Sequence, residues 1–170
     1  MEPVYLRALE VEDLERTHKW HTDPSLYKTL GSNFRFVSRS TEETWIKRKC
    51  SVSENEINLA ICLNNTNNHV GNIYLRDIDW ISRRGTLHIF IGDVEDQGKG
   101  YGQSAIRQLI SYAFDELNLQ KIWLTILTEN TVARYMYEKC GFIVEGTLKR
   151  HVYKNGQFKD VTCMGLCRDY

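Results

Sequence analysis

Residues 89–117 constrain the fold most, because three glycines at alternate positions, Gly98, Gly100 and Gly102, separate an apolar strand end from an amphipathic stretch. Glycines allow a sharp turn and let the backbone approach a ligand closely. Apolar residues then recur at three- and four-residue steps, at Ala105, Ile106, Leu109, Ile110, Ala113, Phe114 and Leu117. This spacing predicts a helix with one buried stripe. The unpaired N–H groups and dipole at its start would favour a phosphate or pyrophosphate.

Two known phosphate-binding motifs share features with this turn. A Walker A motif is absent, because Lys99 is followed by Gly100 where that motif needs Ser or Thr. The dinucleotide fingerprint GxGxxA fits better, with Gly100, Gly102 and Ala105 in place and Glu129 at the end of the next predicted strand. That fingerprint normally opens a series of βαβ units, which argues against it here, but a dinucleotide oxidoreductase stays open on this pattern alone.

Length and charge exclude several classes of protein. The chain has 170 residues, which predicts one domain over 1–170. Its 22 Lys and Arg balance 22 Asp and Glu, so neither nucleic acid nor an anionic membrane is an expected partner. Neither a membrane-spanning run nor a secretory signal is apparent. The five cysteines are odd in number and scattered, which favours free thiols in a reducing cytoplasm and no metal site.

The rest of the chain reads as short strands with a few helices. Alternating or apolar runs predict strands at 4–8, 57–63, 70–76, 85–91, 121–127, 142–151 and 157–167. Helices are predicted at 11–20, 42–50 (capped by Ser40 or Thr41) and 130–140, besides the one after the glycines. The last helix would bury Val132, Ala133, Met136, Tyr137 and Cys140, and Gly141 would end it.

These elements predict an α+β fold, an α/β arrangement in three layers. The sheet would have about seven strands, mixed but mostly antiparallel, with helices on both faces. The helix after the glycines would make the single central βαβ crossover. Asn155-Gly156 predicts a tight hairpin between the last two strands. Residues 21–40, with Tyr27, Phe34 and Phe36, form either a loop packed on the core or part of a substrate wall.

Two linked motifs now resemble a known family. The run Gln97-Gly98-Lys99-Gly100-Tyr101-Gly102 resembles the Q/R-x-x-G-x-G/A acetyl-CoA loop of the GNAT N-acetyltransferases. The downstream signature N-x-x-A-x-x-x-Y-E-K-x-G-F is matched by Asn130, Ala133, Tyr137, Glu138, Lys139, Gly141 and Phe142. Residues 145–160 resemble the RimJ/RimL-like and spermidine acetyltransferase branch. The two motifs in this order overturn the dinucleotide interpretation, and the resemblance implies the acyl-CoA N-acyltransferase fold.

The resemblance also implies a reaction, in which acetyl-CoA donates its acetyl group to a primary amine by direct attack. The cofactor-binding residues it implies are Phe90, Ile91, Gln97, Gly98, Lys99, Gly100, Tyr101, Gly102, Asn130 and Ala133. The strand backbone at Phe90 and Ile91 would pair with the pantetheine arm. Tyr137 would protonate the departing CoA thiolate, since a phenol's pKa of about 10 is close enough to a thiol's roughly 8.5. Asn130 could instead serve only as a helix N-cap.

The general base and the acceptor are less well defined. Where spermidine enzymes carry Glu, this strand has Thr86; His88 is the first candidate base, with a reference pKa of about 6.5, and Asp93 the second. The acceptor could be a small amine or polyamine, a protein N-terminus or another peptide amine, or an amino sugar. An acetyl-CoA-binding protein without turnover is the rival from another class. A homodimer is compatible with the sequence.

Overall fold

The computed structural model describes residues 3–168. Its strands are β1 (Val4–Ala8), β2 (Ile57–Leu63), β3 (His69–Asp79), β4 (Arg84–Ile91), β5 (Lys121–Leu127), β6 (Ile143–Lys154) and β7 (Gln157–Cys167). Its α-helices are α1 (Leu14–His21), α2 (Arg39–Cys50), α3 (Tyr101–Ser111) and α4 (Thr131–Lys139). Short 3-10 turns occur at Val11–Asp13, Leu26–Lys28 and Val94–Asp96, and α3 continues into a π-helical turn at Tyr112–Glu116.

All seven strands join one sheet in the order β1-β2-β3-β4-β5-β7-β6. Neighbouring strands are antiparallel at every pairing except β4 with β5, which is parallel and connected through α3. The predicted sheet, mostly antiparallel with one central crossover, is therefore confirmed. The position of β7 between β5 and β6 was not predicted, because hairpin signals do not say which strand of the hairpin joins the rest of the sheet.

Helices cover both faces of the sheet, as the sequence predicts. One apolar core joins the inner strands to α3, where Ile106 and Leu109 are fully buried, and to α4 through Tyr137. A second, smaller cluster lies on the opposite face and contains Ile46 of α2 with Tyr74 of β3. The whole predicted stripe, from Ala105 to Leu117, lies in or against the first core, and its last residues belong to the π-helical turn and the residue after it.

Two helix details differ from the prediction. Helix α2 begins earlier than expected, and its N-cap is Ser38, whose Oγ accepts from the N–H of Thr41 at 3.2 Å. Ser38 has the extended backbone that a cap requires, whereas the predicted caps Ser40 and Thr41 lie inside the helix. In α4, Val132 is 80% exposed and does not share the buried face, because that face is centred on Tyr137 and turned towards the sheet.

Asn and Gly stand at the predicted turns, and the backbone there has the positive φ values that these residues adopt most readily. Asn155 and Gly156 both have positive φ, of 51° and 80°, as a two-residue hairpin turn requires. Gly141 follows α4 with a φ of 92°, a left-handed conformation that ends the helix where Gly is expected. These turns fix where β6 and β7 start.

Candidate active site

The sheet opens between β4 and β5. The two strands pair only at Arg84–Lys121, Gly85–Ile122 and Thr86–Trp123. Beyond these pairs β4 continues to Ile91 beside β3, while β5 continues to Leu127 beside β7. Among the described residues, the β4 backbone after Thr86 therefore has no strand partner on its β5 side. The result is a V-shaped gap in the middle of the sheet, with unpaired backbone along one arm.

The glycine turn lies at the start of α3, which connects the two arms of this gap. Gly98 and Gly100 have φ values of 75° and 81°, and Gly100 is the N-cap of α3 with no side chain to bond the first N–H groups. A Cβ added at either glycine would have no heavy atom within 4 Å. The glycines are therefore required by the left-handed backbone, and the space in front of the helix N-terminus is open.

Side chains around this turn are already engaged. Gln97 donates from Nε2 to the carbonyl of Ile91 at 3.2 Å, which closes the loop onto the end of β4. The Lys99 ammonium lies 3.3 Å from the Asp96 carboxylate and 5.9 Å from the ring centre of Tyr101. The Ile91 carbonyl can accept a second bond, because a carbonyl oxygen has two lone pairs.

Asn130 has two hydrogen bonds that fix the start of α4. Its Oδ1 accepts from the N–H of Ala133 at 3.1 Å, and its Nδ2 donates to the carbonyl of Thr29 at 3.1 Å. The N-cap alternative for Asn130 is therefore present in the structure. The second bond ties the 21–40 segment to α4, so the segment is anchored close to the site.

Tyr137 lies on the same side of the sheet as the glycine turn. It is 6% exposed and packs in the core beneath α3, with its ring edge-on to Phe142 at 5.7 Å. Helix α4 also approaches the first turn of α3, since a Cβ on Gly102 would lie 3.3 Å from the sulfur of Met136. Among residues 3–168 the Tyr137 hydroxyl has no hydrogen-bond partner, and burial raises its pKa, which keeps the phenol protonated at neutral pH.

His88 lies on the opposite face of the sheet. Leu87 and Ile89 contact the core beneath α3, whereas Phe90 contacts the cluster beneath α2, so alternation places His88 on the α2 side. The residue is exposed, but partial desolvation of its ring, and then the charge of Arg76, lowers its pKa to about 4. A group this weakly basic is a poor acceptor for the proton of an ammonium ion.

The other candidate base, Asp93, is held in ion pairs. Its carboxylate bonds Lys19 at 2.5 Å and lies 3.4 Å from Arg16, both on α1. Burial opposes ionisation of Asp93, but the hydrogen bond from Lys19 outweighs it and lowers the pKa. Asp93 therefore fastens α1 to the end of β4 and is not available as a neutral-pH base.

A cavity on the α1–α2 side was not predicted. Its volume is about 230 Å³, and its lining includes His21, Tyr27, Arg35, Glu42 and Trp45. The substrate-wall alternative for residues 21–40 is supported by His21, Tyr27 and Arg35, which line this cavity, while Phe36 is 97% exposed and is not part of its wall. His21 and Glu42 are 21 positions apart in the sequence and belong to no motif, so no local signal connects them.

The cavity adjoins the gap in the sheet. The ring centre of His21 is 6.0 Å from that of Phe90, and Phe90 belongs to the unpaired arm of β4. One face of the sheet thus carries the glycine turn and Tyr137, and the other carries the cavity.

Membrane-spanning helices and metal-binding clusters are both absent from residues 3–168. No helix there is long and apolar enough to cross a bilayer. No group of three or more His, Cys, Asp or Glu side chains there could hold a metal ion.

Comparison with known proteins identifies the family. The acetyltransferase (GNAT) domain matches residues 4–143. Spermidine N(1)-acetyltransferase of Vibrio cholerae is 31% identical over 159 residues, covering 94% of this chain and 90% of that protein. The Escherichia coli K12 enzyme of the same name is 30% identical over 161 residues, covering 95% and 84%.

A solved structure agrees with this family over nearly the whole chain. The crystal structure of the Vibrio cholerae spermidine N-acetyltransferase in complex with CoA and spermine superposes with a TM-score of 0.90, at 29% identity, covering 98% of this chain and 96% of that one. The acyl-CoA N-acyltransferase fold implied by the two motifs is confirmed. The chain therefore belongs to the GNAT acetyltransferase family, in its spermidine-acetyltransferase-like branch, and is an acetyl-CoA-dependent N-acetyltransferase.

Proposed function

We propose that this enzyme acetylates a primary amine of a polyamine or a similar small alkylamine. The observation that carries the proposal is the gap between β4 and β5, which offers unpaired backbone to a cofactor from one face and a cavity to an acceptor from the other. Two relatives and one solved neighbour are named as spermidine acetyltransferases, which supports a polyamine as acceptor.

In this proposal acetyl-CoA binds along the α3 side of the gap. The N–H groups at Gly98–Gly102 and the dipole of α3 bind the diphosphate, with Gln97, Lys99 and Tyr101 around it. The pantetheine arm pairs with the β4 backbone at Phe90 and Ile91. Asn130 and Ala133 form the edge of the site at the start of α4, where the hydrogen bond between them fixes this end of the helix.

The chemical step follows from the position of Tyr137. The neutral amine attacks the thioester carbonyl, and collapse of the tetrahedral intermediate expels the thiolate of CoA. Tyr137 gives that thiolate its proton, since its hydroxyl has no other partner among residues 3–168 and stays protonated. The same burial disfavours a thiolate beside it, so proton transfer is favoured where both groups are desolvated.

The domain match and the state of the cysteines support two further proposals, a single domain and a cytoplasmic location. The GNAT domain matches residues 4–143, and β7 completes the same sheet, which supports one domain over 1–170. All five cysteines are free, a state that suits a reducing cytoplasm, where we propose the enzyme acts.

An acceptor screen tests the proposed function. With acetyl-CoA at a saturating concentration, release of free CoA should be fastest with spermidine or spermine among polyamines, peptides, amino sugars and amino acids. Faster CoA release with peptide amines or amino sugars would show that the acceptor is not a polyamine. Binding of acetyl-CoA without turnover of any amine would indicate the binding-protein alternative.

Replacing Gly100 by Val should weaken acetyl-CoA binding by at least about tenfold in titration calorimetry. The left-handed backbone at φ 81° is costly for a β-branched residue, so the turn would lose its shape although no atom lies in the way. Gly146→Val is the matched control, because its Cβ also meets open space but its backbone is not left-handed. Equal affinity of the two variants would contradict the role given to the turn.

Tyr137→Phe should lower kcat roughly 10²-fold or more while leaving acetyl-CoA affinity nearly unchanged, as expected for loss of a general acid. Tyr135→Phe is the control, since Tyr135 is exposed on the same helix and faces Lys139. Steady-state rates should be compared with the single-turnover rate. If the Tyr137→Phe and Tyr135→Phe enzymes turn over equally fast when chemistry limits the rate, Tyr137 is not the acid.

We also propose a homodimer formed through the uncovered half of the sheet. Strand β6 lies at the sheet edge, and on the face opposite α4 the chain has an apolar patch, defined as Trp123, Ile143 and Leu148. Trp123 and Ile143 lie on the same face, on either side of Gly165 of β7, and the Glu145 carboxylate, which pairs with Lys121, covers Gly165 between them. An exposed edge strand with apolar residues commonly pairs with another chain.

Sedimentation velocity should find a species of at least twice the 19.9 kDa chain mass, and Ile143→Lys should shift it towards the monomer. Ile143 is 67% exposed, so a lysine there disturbs an interface and not the core. Val52→Lys, on a loop remote from the patch, should leave the mass unchanged. A monomeric wild-type protein would refute the dimer.

A further inference from the structure

The cavity contains a carboxylate–imidazole pair. His21 is the last residue of α1, and Glu42 lies in the first turn of α2. The Nδ1 of His21 is 2.9 Å from both carboxylate oxygens of Glu42. Glu42 is only 1% exposed, so this contact between the two helices excludes water from the carboxylate.

The burial of Glu42 is unusual for a carboxylate. Among residues 3–168 its carboxylate oxygens accept side-chain hydrogen bonds only from His21. Burying a carboxylate is costly, and apolar residues would join two helices at least as well. A carboxylate behind an imidazole has a defined chemical effect, however: it places the proton on Nδ1, fixes the ring and stabilises the imidazolium if Nε2 takes up a proton.

The other ring nitrogen of His21 is available to the cavity. Among the described residues Nε2 has no hydrogen-bond partner, and the ring lines the cavity wall. Trp45 holds the ring edge-on at 4.7 Å between centroids, which restricts its rotation. The lone pair of Nε2 is therefore held in a fixed position.

The pair also lies on the correct side for an acceptor. Phe90 belongs to the β4 arm along which the cofactor is proposed to bind, and its ring is in contact range of His21 at 6.0 Å between centroids. An amine bound in the cavity would contact the wall that His21 forms. Direct transfer of its proton to Nε2, or transfer through one water, suits this arrangement.

We propose that His21 is the general base of the acetyl transfer and that Glu42 is its positioning residue, an inference that rests on the proposed function. The ammonium of the acceptor gives one proton to Nε2 of His21. The nitrogen lone pair then forms the C–N bond to the acetyl carbonyl, the C–S bond breaks, and the thiolate takes the proton of Tyr137. The nitrogen loses its remaining extra proton as the neutral amide forms, and this proton restores the Tyr137 phenol, directly or through solvent. The His21 imidazolium, paired with Glu42, later returns its proton to solvent.

The other titratable groups around the cavity do not compete for this role. Burial raises the pKa of Tyr27, so its phenol is neutral at pH 7. Arg35 is a permanent cation on the wall. On β4, the lowered pKa of His88 leaves that ring neutral. Glu42 is then the negatively charged group that contacts His21.

The test is the pH dependence of kcat/KM for spermidine in three His→Gln variants of the whole chain. Without a base the enzyme must select the neutral amine, whose fraction rises about tenfold per pH unit below an alkylamine pKa of roughly 10. The kcat/KM of the His21→Gln enzyme should therefore be about 10²-fold or more below that of wild type at pH 7. It should then rise about tenfold per pH unit up to pH 9. Wild type should be nearly flat over that range.

Two variants serve as comparisons. His18→Gln alters a histidine of the same helix that bonds the carbonyl of Val37, and it should keep the wild-type profile. His88→Gln should also keep that profile. If His88→Gln, and not His21→Gln, shows the steep rise, the base predicted from the sequence is correct and this proposal fails.

Glu42→Gln tests the positioning role separately. The amide oxygen can still accept from Nδ1, but the negative charge that stabilises the imidazolium is lost. The kcat/KM for spermidine should therefore fall by less than in the His21→Gln enzyme and without the steep rise with pH. Acetyl-CoA affinity, measured by calorimetry, should be unchanged in both the Glu42→Gln and His21→Gln enzymes, which shows that they fold. A reduction of equal size at every pH would assign His21 a structural role.

Failure of this inference differs from failure of the proposed function. If the wild-type enzyme releases CoA with spermidine and the His21→Gln enzyme matches it, only the base assignment is overturned. If wild type releases CoA with no amine, the proposed function fails, and the base assignment fails with it.

Discussion

The site depends on one limited contact, the three residue pairs that join β4 to β5 at the centre of the sheet. A longer parallel pairing would satisfy the β4 backbone and close the gap, and a shorter one would leave the two halves of the sheet poorly joined. The right-handed crossover through α3 makes this contact parallel and brings the helix N-terminus to the mouth of the gap. Backbone donors and acceptors, more than side chains, thus shape the cofactor side.

The two faces of the sheet carry the two groups that we propose for proton transfer. Tyr137 lies on the face of α3 and α4, buried and protonated, where a leaving thiolate would need a proton. His21 and Glu42 lie on the face of α1 and α2, where an ammonium would lose one. Because the gap is where the two faces of the sheet meet, the proposed proton donor and the proposed proton acceptor can reach one reaction centre from opposite sides.

The fold was largely predictable, because local patterns dominate it. The stripe from Ala105 to Leu117 indicated α3, and Asn155-Gly156 indicated the last hairpin. The glycine turn was predictable for the same reason: its residues form a contiguous motif, and its backbone demands, such as the positive φ of Gly100, are local. The prediction was wrong at two positions. Ser38, Ser40 and Thr41 are all residue types that can cap a helix, and the sequence does not say which of them caps α2. Val132 has the spacing of a buried residue, but the packing of α4 on the sheet leaves it exposed.

Residues close together in the chain were enough to define the strands, the helices, the glycine turn and the family. Which side chains line the cavity on the α1–α2 side depends instead on how distant segments pack. His21 and Glu42 come together because α1 and α2 cross on one face of the sheet. Partial desolvation of the His88 ring and the charge of Arg76 on β3 lower the pKa of His88, and neither effect is visible in its neighbours in sequence. Proton-transfer chemistry depends on distance and dielectric environment, and neither is encoded in a local pattern.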